Sequence, residues 1–142
     1  MKAIADTNVL IRAAVNDDAE EAKMARMALQ KADQVIVTLP VLCEFVWVLT
    51  RGYRYGAEEI ASAIRRLLAS DGVEAERAPV EAGLARLEAG GDFADGVVIF
   101  EGRRLGGATL LTFDRNAATL TRAAGGEAKL LAKGSPPGPH PR

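Results

Sequence analysis

Histidine and cysteine are almost absent from this chain of 142 residues. Its one histidine, His140, lies in a terminal segment rich in proline and glycine. A Ser-His-Asp triad, a two-histidine ribonuclease site and a histidine-bearing zinc site therefore all lack their essential group. The one cysteine, Cys43, can form no internal disulfide and cannot by itself build a thiolate metal site, which fits a reducing compartment. Any hydrolytic chemistry would have to use carboxylates and a metal ion.

Long apolar runs and a strong net charge are also missing. No segment approaches the roughly 20 apolar residues of a membrane span, and the apolar part of the first six residues is too short for a signal peptide. We therefore expect a cytoplasmic protein with no membrane partner. The net charge of −1 argues against strong binding to nucleic acid that is independent of sequence. Local positive surface could still form where arginines cluster: Arg51 and Arg54, Arg65 and Arg66, Arg103 and Arg104.

Length and composition describe one ordinary globular domain, with 49% hydrophobic and 26% charged residues. Short β-branched segments alternate with helical patterns, which predicts an α/β domain with a mainly parallel sheet. We place this domain at residues 1–132 and expect 133–142 to be a disordered tail. The predicted strands are 3–5, 35–37, 73–76, 109–112 and 129–131. The predicted helices are 18–31, 39–51, 57–68, 80–89, 93–105 and 115–123.

Glu44 is the only charged residue between Gln34 and Thr50, in a run that otherwise reads as buried core. A buried carboxylate without a partner is costly, and no basic residue lies in that run. Four other acids stand where apolar segments begin or end. Oxygen ligands held close together are those that Mg²⁺ or Mn²⁺ prefers. These four acids are Asp6, Asp92, Asp95 and Asp114.

Asp6 and Asp114 each follow a predicted strand. Ligands in open α/β sheets bind beyond the carboxyl ends of the strands, where both side chains are expected to lie. Either residue could instead cap the helix or turn that follows it.

Asp92 and Asp95 are three residues apart, which places both carboxylates on neighbouring positions of one helical face. They could simply form a capping box and interact with the helix dipole. The apolar residues 97–100 that follow Asp95 predict a buried helix, whose first turn should then abut the edge of the sheet.

Four motifs, in this order and context, resemble those of a known family: Asp6-Thr-Asn, Pro40-Val-Leu-Cys-Glu44, Asp92-Phe-Ala-Asp95 and Thr112-Phe-Asp-Arg115. They are similar to the acidic motifs of the PIN-domain nucleases, and within that family to the VapC toxins of bacterial and archaeal toxin–antitoxin pairs. The resemblance extends from Lys2 to about Leu131.

The resemblance implies a three-layer α/β/α domain with a five-stranded, mainly parallel sheet and endonuclease activity on RNA that depends on a divalent metal. It also implies that water attacks the phosphodiester, leaving a 5′-phosphate. The implied metal ligands are Asp6, Glu44, Asp95 and Asp114, with Asp92 as an auxiliary acid and Asn8 and Thr112 as supporting residues.

The implied partners are an RNA substrate, a VapB-like antitoxin and a second copy of the chain. The antitoxin would lie in a groove between the helices that begin at Leu39 and Ala57, near Trp47, although most of this apolar surface could simply be core.

Two other functions are compatible with an α/β domain that carries several acids. One is a PIN-like domain that has lost activity and binds RNA or protein, against which the intact acidic set argues. The other is a phosphate-accepting receiver domain, which needs an adjacent acidic pair at the first strand end and a lysine at a late one. Asp6 is followed by Thr7, and residues 112–115 contain no lysine.

Overall fold

The computed structural model describes residues 1–132. The expected tail, 133–142, and His140 within it lie outside the described residues. Strands and helices alternate along the described chain, with pairs of helices between the first strands. In order, the elements are β1 (Lys2–Ile4), α1 (Thr7–Ala14), α2 (Ala19–Lys31), β2 (Gln34–Ile36), α3 (Leu39–Arg51), α4 (Ala57–Ala69), β3 (Val73–Glu74), α5 (Arg77–Glu88), α6 (Phe93–Arg104), β4 (Thr109–Thr112), α7 (Arg115–Ala123) and β5 (Glu127–Leu130).

All the strand pairings are parallel, which confirms the predicted α/β class. Strands β1, β2 and β3 form one sheet in that order, with Ala3 opposite Val35 and Val35 opposite Val73. Strands β4 and β5 form a second sheet, with Thr109 opposite Glu127. The five strands were expected in one continuous sheet, and they are divided between two.

The division leaves four edge strands among residues 1–132, β1 and β3 in the first sheet and β4 and β5 in the second, and two of them, β1 and β4, expose apolar side chains. Strand β1 pairs only with β2, and β4 pairs only with β5. Ile4 of β1 is 78% exposed and Leu111 of β4 is 64% exposed. Open edges with apolar residues are the surfaces at which β-proteins tend to associate.

The core lies where α3 and α4 pack on the first sheet. Four residues at helical spacing form the buried stripe of α3, and four more form that of α4, where Arg65 and Arg66 are exposed as predicted. The buried residues of the two stripes are Leu42, Phe45, Val46 and Leu49, and Ile60, Ala61, Ile64 and Leu68.

Two glycines bring α5 and α6 unusually close together. A Cβ at Gly83 would lie 2.7 Å from the ring of Phe93, which is fully buried. A Cβ at Gly96 would overlap the carbonyl oxygen of Ala82 and lie 2.9 Å from Cβ of Arg86. Both positions therefore require glycine, and their close packing fixes the first turn of α6, which carries two of the acidic residues.

Several predicted boundaries differ from the observed ones. The bounds of α3 and α7 agree with the prediction, whereas α5 begins at Arg77, three residues before the predicted start. Helix α1 was not predicted, because Asp6 was expected only to end a strand or to cap an undefined helix or turn. Its eight residues bury Thr7, Leu10 and Ile11, a spacing that indicates a short amphipathic helix.

Candidate functional site

The end of β1 is connected to α3 through Thr7. Asp6 is the N-cap of α1, and its carboxylate accepts a hydrogen bond from the backbone N–H of Thr7 at 2.9 Å. The buried Thr7 hydroxyl donates to Oε1 of Glu44 at 2.6 Å. Asp6 and Glu44, 38 positions apart in the sequence, therefore flank one buried hydroxyl.

The expectation that Glu44 is a lone buried carboxylate was wrong. Glu44 is exposed, because the buried stripe of α3 runs along the opposite side of the helix. Two neighbours on its own face, Pro40 and Trp47, are exposed as well. The apolar sequence around Glu44 therefore forms a surface on this side, and the hydroxyl of Thr7 is the partner that the carboxylate uses.

The other three acids line one cleft. Asp92, Asp95 and Asp114 lie around a cavity of about 310 Å³ that is also lined by Trp47 and Asn116. Helix α3 contributes one wall, and the first turns of α6 and α7 contribute the acidic side chains.

Asp92 and Asp114 are helix caps as well as residues of the acidic cleft. The capping role and the site role that the sequence suggested for them are therefore compatible. Asp92 caps α6 by accepting from the N–H of Ala94 at 3.1 Å, and Asp114 caps α7 by accepting from the N–H of Ala117 at 3.1 Å. Each cap uses one carboxylate oxygen, Oδ1, in the hydrogen bond. The second oxygen of each remains available to a ligand.

Asp95 is the acid whose pKa the cleft changes. Burial raises the pKa of Asp95, the negative charges of Asp92 and Asp114 raise it further, and the positive charge of Arg86 partly opposes the shift. Asp92 also helps to raise the pKa of the Cys43 thiol, after the larger effect of burial. These effects place Asp92 near both Asp95 and helix α3.

Hydrogen bonds of Thr112 and Asn116 stabilise the part of the cleft that is formed at the start of α7. The Thr112 hydroxyl accepts from the backbone N–H of Asp114 at 2.9 Å, which fixes the turn between β4 and α7. The side chain of Asn116 donates to the carbonyl of Gly90 at 3.2 Å and ties α7 to the turn before α6. Asn8, the other residue predicted to support the site, is exposed on α1.

Sequence reasoning missed the roles of Thr7, Asn116 and Arg86. Thr7 stands within the Asp6-Thr-Asn motif, so its position beside the first acid was visible. Asn116 and Arg86 carried no signal in the sequence, because their contacts join helices that are distant along the chain.

The acidic residues provide the oxygen ligands that a hard cation prefers, but their arrangement fits such a cation less well. Carboxylate oxygens are the ligands that Mg²⁺ and Mn²⁺ prefer. Within residues 1–132, however, no group of three or more His, Cys, Asp or Glu side chains is arranged to hold a metal ion. The acids instead form two subsets, with Asp6 and Glu44 joined through Thr7 and with Asp92, Asp95 and Asp114 around the cleft.

Comparison with protein families identifies the fold. A model of the PIN domain matches residues 3–124, which is most of the chain. The chain belongs to the PIN domain family. The match includes all four acidic motifs on which the resemblance to this family depends.

One solved structure that matches this PIN domain is the crystal structure of VapC20 from Mycobacterium tuberculosis, a toxin that cleaves the sarcin-ricin loop. The two sequences are 22% identical, and the match covers 89% of this chain and 96% of VapC20 with a TM-score of 0.41. No curated protein sequence matches this chain. Among residues 1–132, no helix is both long and apolar enough to cross a membrane.

Proposed function

We propose that this PIN domain is an endoribonuclease that depends on a divalent metal, and that it is the toxin of a VapC-type toxin–antitoxin pair. The observation that carries the proposal is the cleft in which Asp92, Asp95 and Asp114 come together. Burial, and then the negative charges of Asp92 and Asp114, raise the pKa of Asp95, and a bound cation would relieve both effects. The VapC assignment is supported by the order of the four acidic motifs in the sequence.

The residues that would hold Mg²⁺ or Mn²⁺ are the three acids of the cleft, and Asp6 and Glu44, which form a separate subset beside Thr7, would have to move towards the cleft to join them. A divalent cation supplies a Lewis acid that lowers the pKa of a water molecule and stabilises negative charge on the phosphodiester. The chain itself provides no histidine among residues 1–132 for either task.

The roles of the side chains follow from their contacts. Asp95, the most buried acid of the cleft, lies between Asp92 and Asp114 and would be a central ligand of the cation. Thr7 would orient Glu44, and Thr112 would orient Asp114 through its backbone. Attack by water would leave a 5′-phosphate and a 3′-hydroxyl, with no cyclic phosphate.

An antitoxin would bind at the rim of the same cleft. Trp47 is 61% exposed and lines the cleft beside the acids, whereas its neighbours Val46 and Leu49 are core residues. A large exposed aromatic residue next to negative charge suits a peptide that carries an apolar anchor and a basic side chain. Such a basic side chain would occupy the carboxylates and compete with the metal.

We also propose that the protein is a homodimer. The open edges of β1 and β4, with Ile4 and Leu111 exposed, support self-association. A second copy that covered both edges would remove unpaired backbone groups and apolar surface from water.

The decisive experiment is cleavage of end-labelled tRNA and ribosomal RNA by the purified protein, with Mg²⁺ or Mn²⁺ against EDTA. Discrete cuts that bear 5′-phosphates and disappear in EDTA, in Asp95→Asn and in Asp6→Asn would support the nuclease. Equal cutting by the two variants and the wild type would reject it and indicate a contaminant. Asp71→Asn is the matched control, since Asp71 is an exposed acid in the turn before β3, and it should cut as the wild type does.

The alternative is an inactive PIN domain that only binds RNA or protein. That alternative predicts RNA binding without cleavage under every metal condition. A neighbouring reading frame for a small DNA-binding protein would favour the toxin.

A further inference from the structure

A second pocket lies between α5, α6 and α7, on the other side of the first turn of α6 from the acidic cleft. Asp95 lines the acidic cleft, and the next residue, Gly96, lines this pocket. The pocket has a volume of about 650 Å³ and contains no acidic residue in its lining. Its lining combines apolar side chains with the three arginines Arg86, Arg103 and Arg104.

Arg86 is buried in this pocket and forms no ion pair with an acid among residues 1–132, although its charge acts on Asp95. Its residue exposure is 8%, and Nη2 donates to the hydroxyl of Thr121 at 3.1 Å. Its Nη1 is buried and has no hydrogen-bond partner among residues 1–132. A buried guanidinium nitrogen without a hydrogen-bond partner is costly, and an anion in the pocket would supply that partner to Nη1.

Arg103 and Arg104 differ in whether their guanidinium groups are already hydrogen-bonded. Arg104 is engaged with Glu101 through two hydrogen bonds of 2.9 and 3.1 Å. The side chain of Arg103 is exposed and makes no hydrogen bond or ion pair with a residue in 1–132. Its guanidinium lies against Gly126, where a Cβ would overlap Nη2. Arg86 and Arg103 are therefore the two cations of the pocket with donors to spare.

The remaining lining suits a flat apolar group. Ile99, Phe100 and Leu120 line the pocket alongside the arginines. Nucleobases stack on aromatic rings and on guanidinium planes, and arginine is well matched to phosphate oxygens. An apolar surface with two available guanidiniums thus fits both parts of a nucleotide.

We propose that the pocket between α5, α6 and α7 binds one nucleotide of a single-stranded RNA, with Arg86 and Arg103 on its phosphate and Phe100 beside its base. The proposal rests on the proposed nuclease function and names a subsite for its substrate. The pocket and the acidic cleft share the first turn of α6, so a strand that continued from the pocket past this turn would reach the carboxylates. The effect of the Arg86 charge on the pKa of Asp95 agrees with this proximity.

The test is binding of a short 5′-labelled single-stranded RNA, measured by fluorescence anisotropy in EDTA so that no cleavage occurs. Arg103→Ala and Arg86→Met should each raise the Kd about tenfold, the loss expected for one charged contact of about 1.4 kcal/mol. Arg65→Ala removes the same charge from an exposed position on α4 and should leave the Kd unchanged. The slope of log K against log salt should fall by about 0.7 in each pocket variant.

Equal Kd values for the wild type and Arg103→Ala would overturn the subsite. Circular dichroism would show whether Arg86→Met folds, and Arg103→Ala decides the question if it does not. Competition with inorganic phosphate and with adenosine 5′-monophosphate separates an anion site from a nucleotide site. Stronger displacement by the nucleotide supports the proposal, whereas equal displacement by both overturns it.

The same proteins separate the subsite from the nuclease. If Asp95→Asn cuts RNA as fast as the wild type while the arginine variants bind weakly, the nuclease proposal fails and the subsite stands. If Asp95→Asn is inactive while the arginine variants bind as the wild type does, the subsite fails and the nuclease stands.

Discussion

The hydroxyl of Thr7 donates to Oε1 of Glu44 at 2.6 Å and so links the first helix after β1 to the exposed face of α3. Thr7 is buried and Glu44 is exposed, so the bond fixes one end of a carboxylate whose other oxygen remains open to ligands. The contact explains how an exposed glutamate can hold a defined position without a basic partner.

Thr7→Val should lower RNA cleavage about tenfold while lowering the free energy of unfolding by only about 1 kcal/mol, the net value of one hydrogen bond. The valine fills the same volume but leaves Glu44 without its donor. Cleavage rates and thermal unfolding, measured side by side, check the prediction. Thr7→Ser keeps the hydroxyl and should restore most of the activity; equal losses in Thr7→Ser and Thr7→Val would contradict the role of the hydrogen bond.

Asp95→Asn should raise the melting temperature at pH 7, because asparagine carries no charge to bury in the cleft. The pKa of Asp95 is raised in the folded state, so its charged form destabilises the fold. This penalty is absent below the pKa of the unfolded chain and fully present above the raised pKa. The gain from Asn should therefore be present at pH 7 and vanish below about pH 4. A gain of equal size at pH 3 and pH 7 would be inconsistent with this cause.

Divalent metal should raise the melting temperature of the wild type at neutral pH, because a cation neutralises the crowded carboxylates. Asp95→Asn should abolish most of this rise. Thermal unfolding with Mg²⁺, with Mn²⁺ and with EDTA provides the comparison, and Asp71→Asn serves as the control that should keep the full response. Equal shifts in the wild type and Asp95→Asn would defeat the prediction.

Gly96→Ala and Gly102→Ala, on the same helix, should change stability in opposite directions. A Cβ at Gly96 meets the backbone of α5, so alanine there should cost about 1–3 kcal/mol. A Cβ at Gly102 meets nothing within 4 Å, so alanine there should stabilise the helix by about 0.5–1 kcal/mol. Urea unfolding of the two variants tests the pair. Stabilisation by Gly96→Ala would mean that α5 and α6 do not pack as described.

Leu111→Lys should weaken self-association, since a charge on an open strand edge opposes pairing with another chain. Sedimentation velocity over a range of concentrations would show the change as a loss of the faster species. The folded monomer should persist, because Leu111 is already mostly exposed. Lys129→Arg, on β5, keeps the local charge and should sediment as the wild type does. A single monomeric species for every protein, the wild type included, would refute the proposed dimer.

The sequence alone determined the local structure of the chain and the identity of its acids. Helical patterns between the strands predicted α3 and α7 with their observed bounds. The period of apolar residues predicted the buried side of α4, because a helix that packs on one side must repeat its buried residues every three to four positions. The sequence also predicted parallel strands and acids at their ends. Helix α1 was missed because it is short and begins directly after Asp6. The match to the PIN domain confirmed the family resemblance that implied the fold.

Tertiary structure decided which residues meet. The apolar run around Glu44 suggested burial, but only the packing of α3 could show that its buried stripe is turned away from Glu44. Contacts between distant helices, such as Arg86 with Thr121 and Asn116 with Gly90, leave no period in the sequence. The division of the strands into two sheets is likewise set by long-range packing. The local sequence pattern determines which face of a helix or strand is buried. The tertiary fold determines which residues that face contacts.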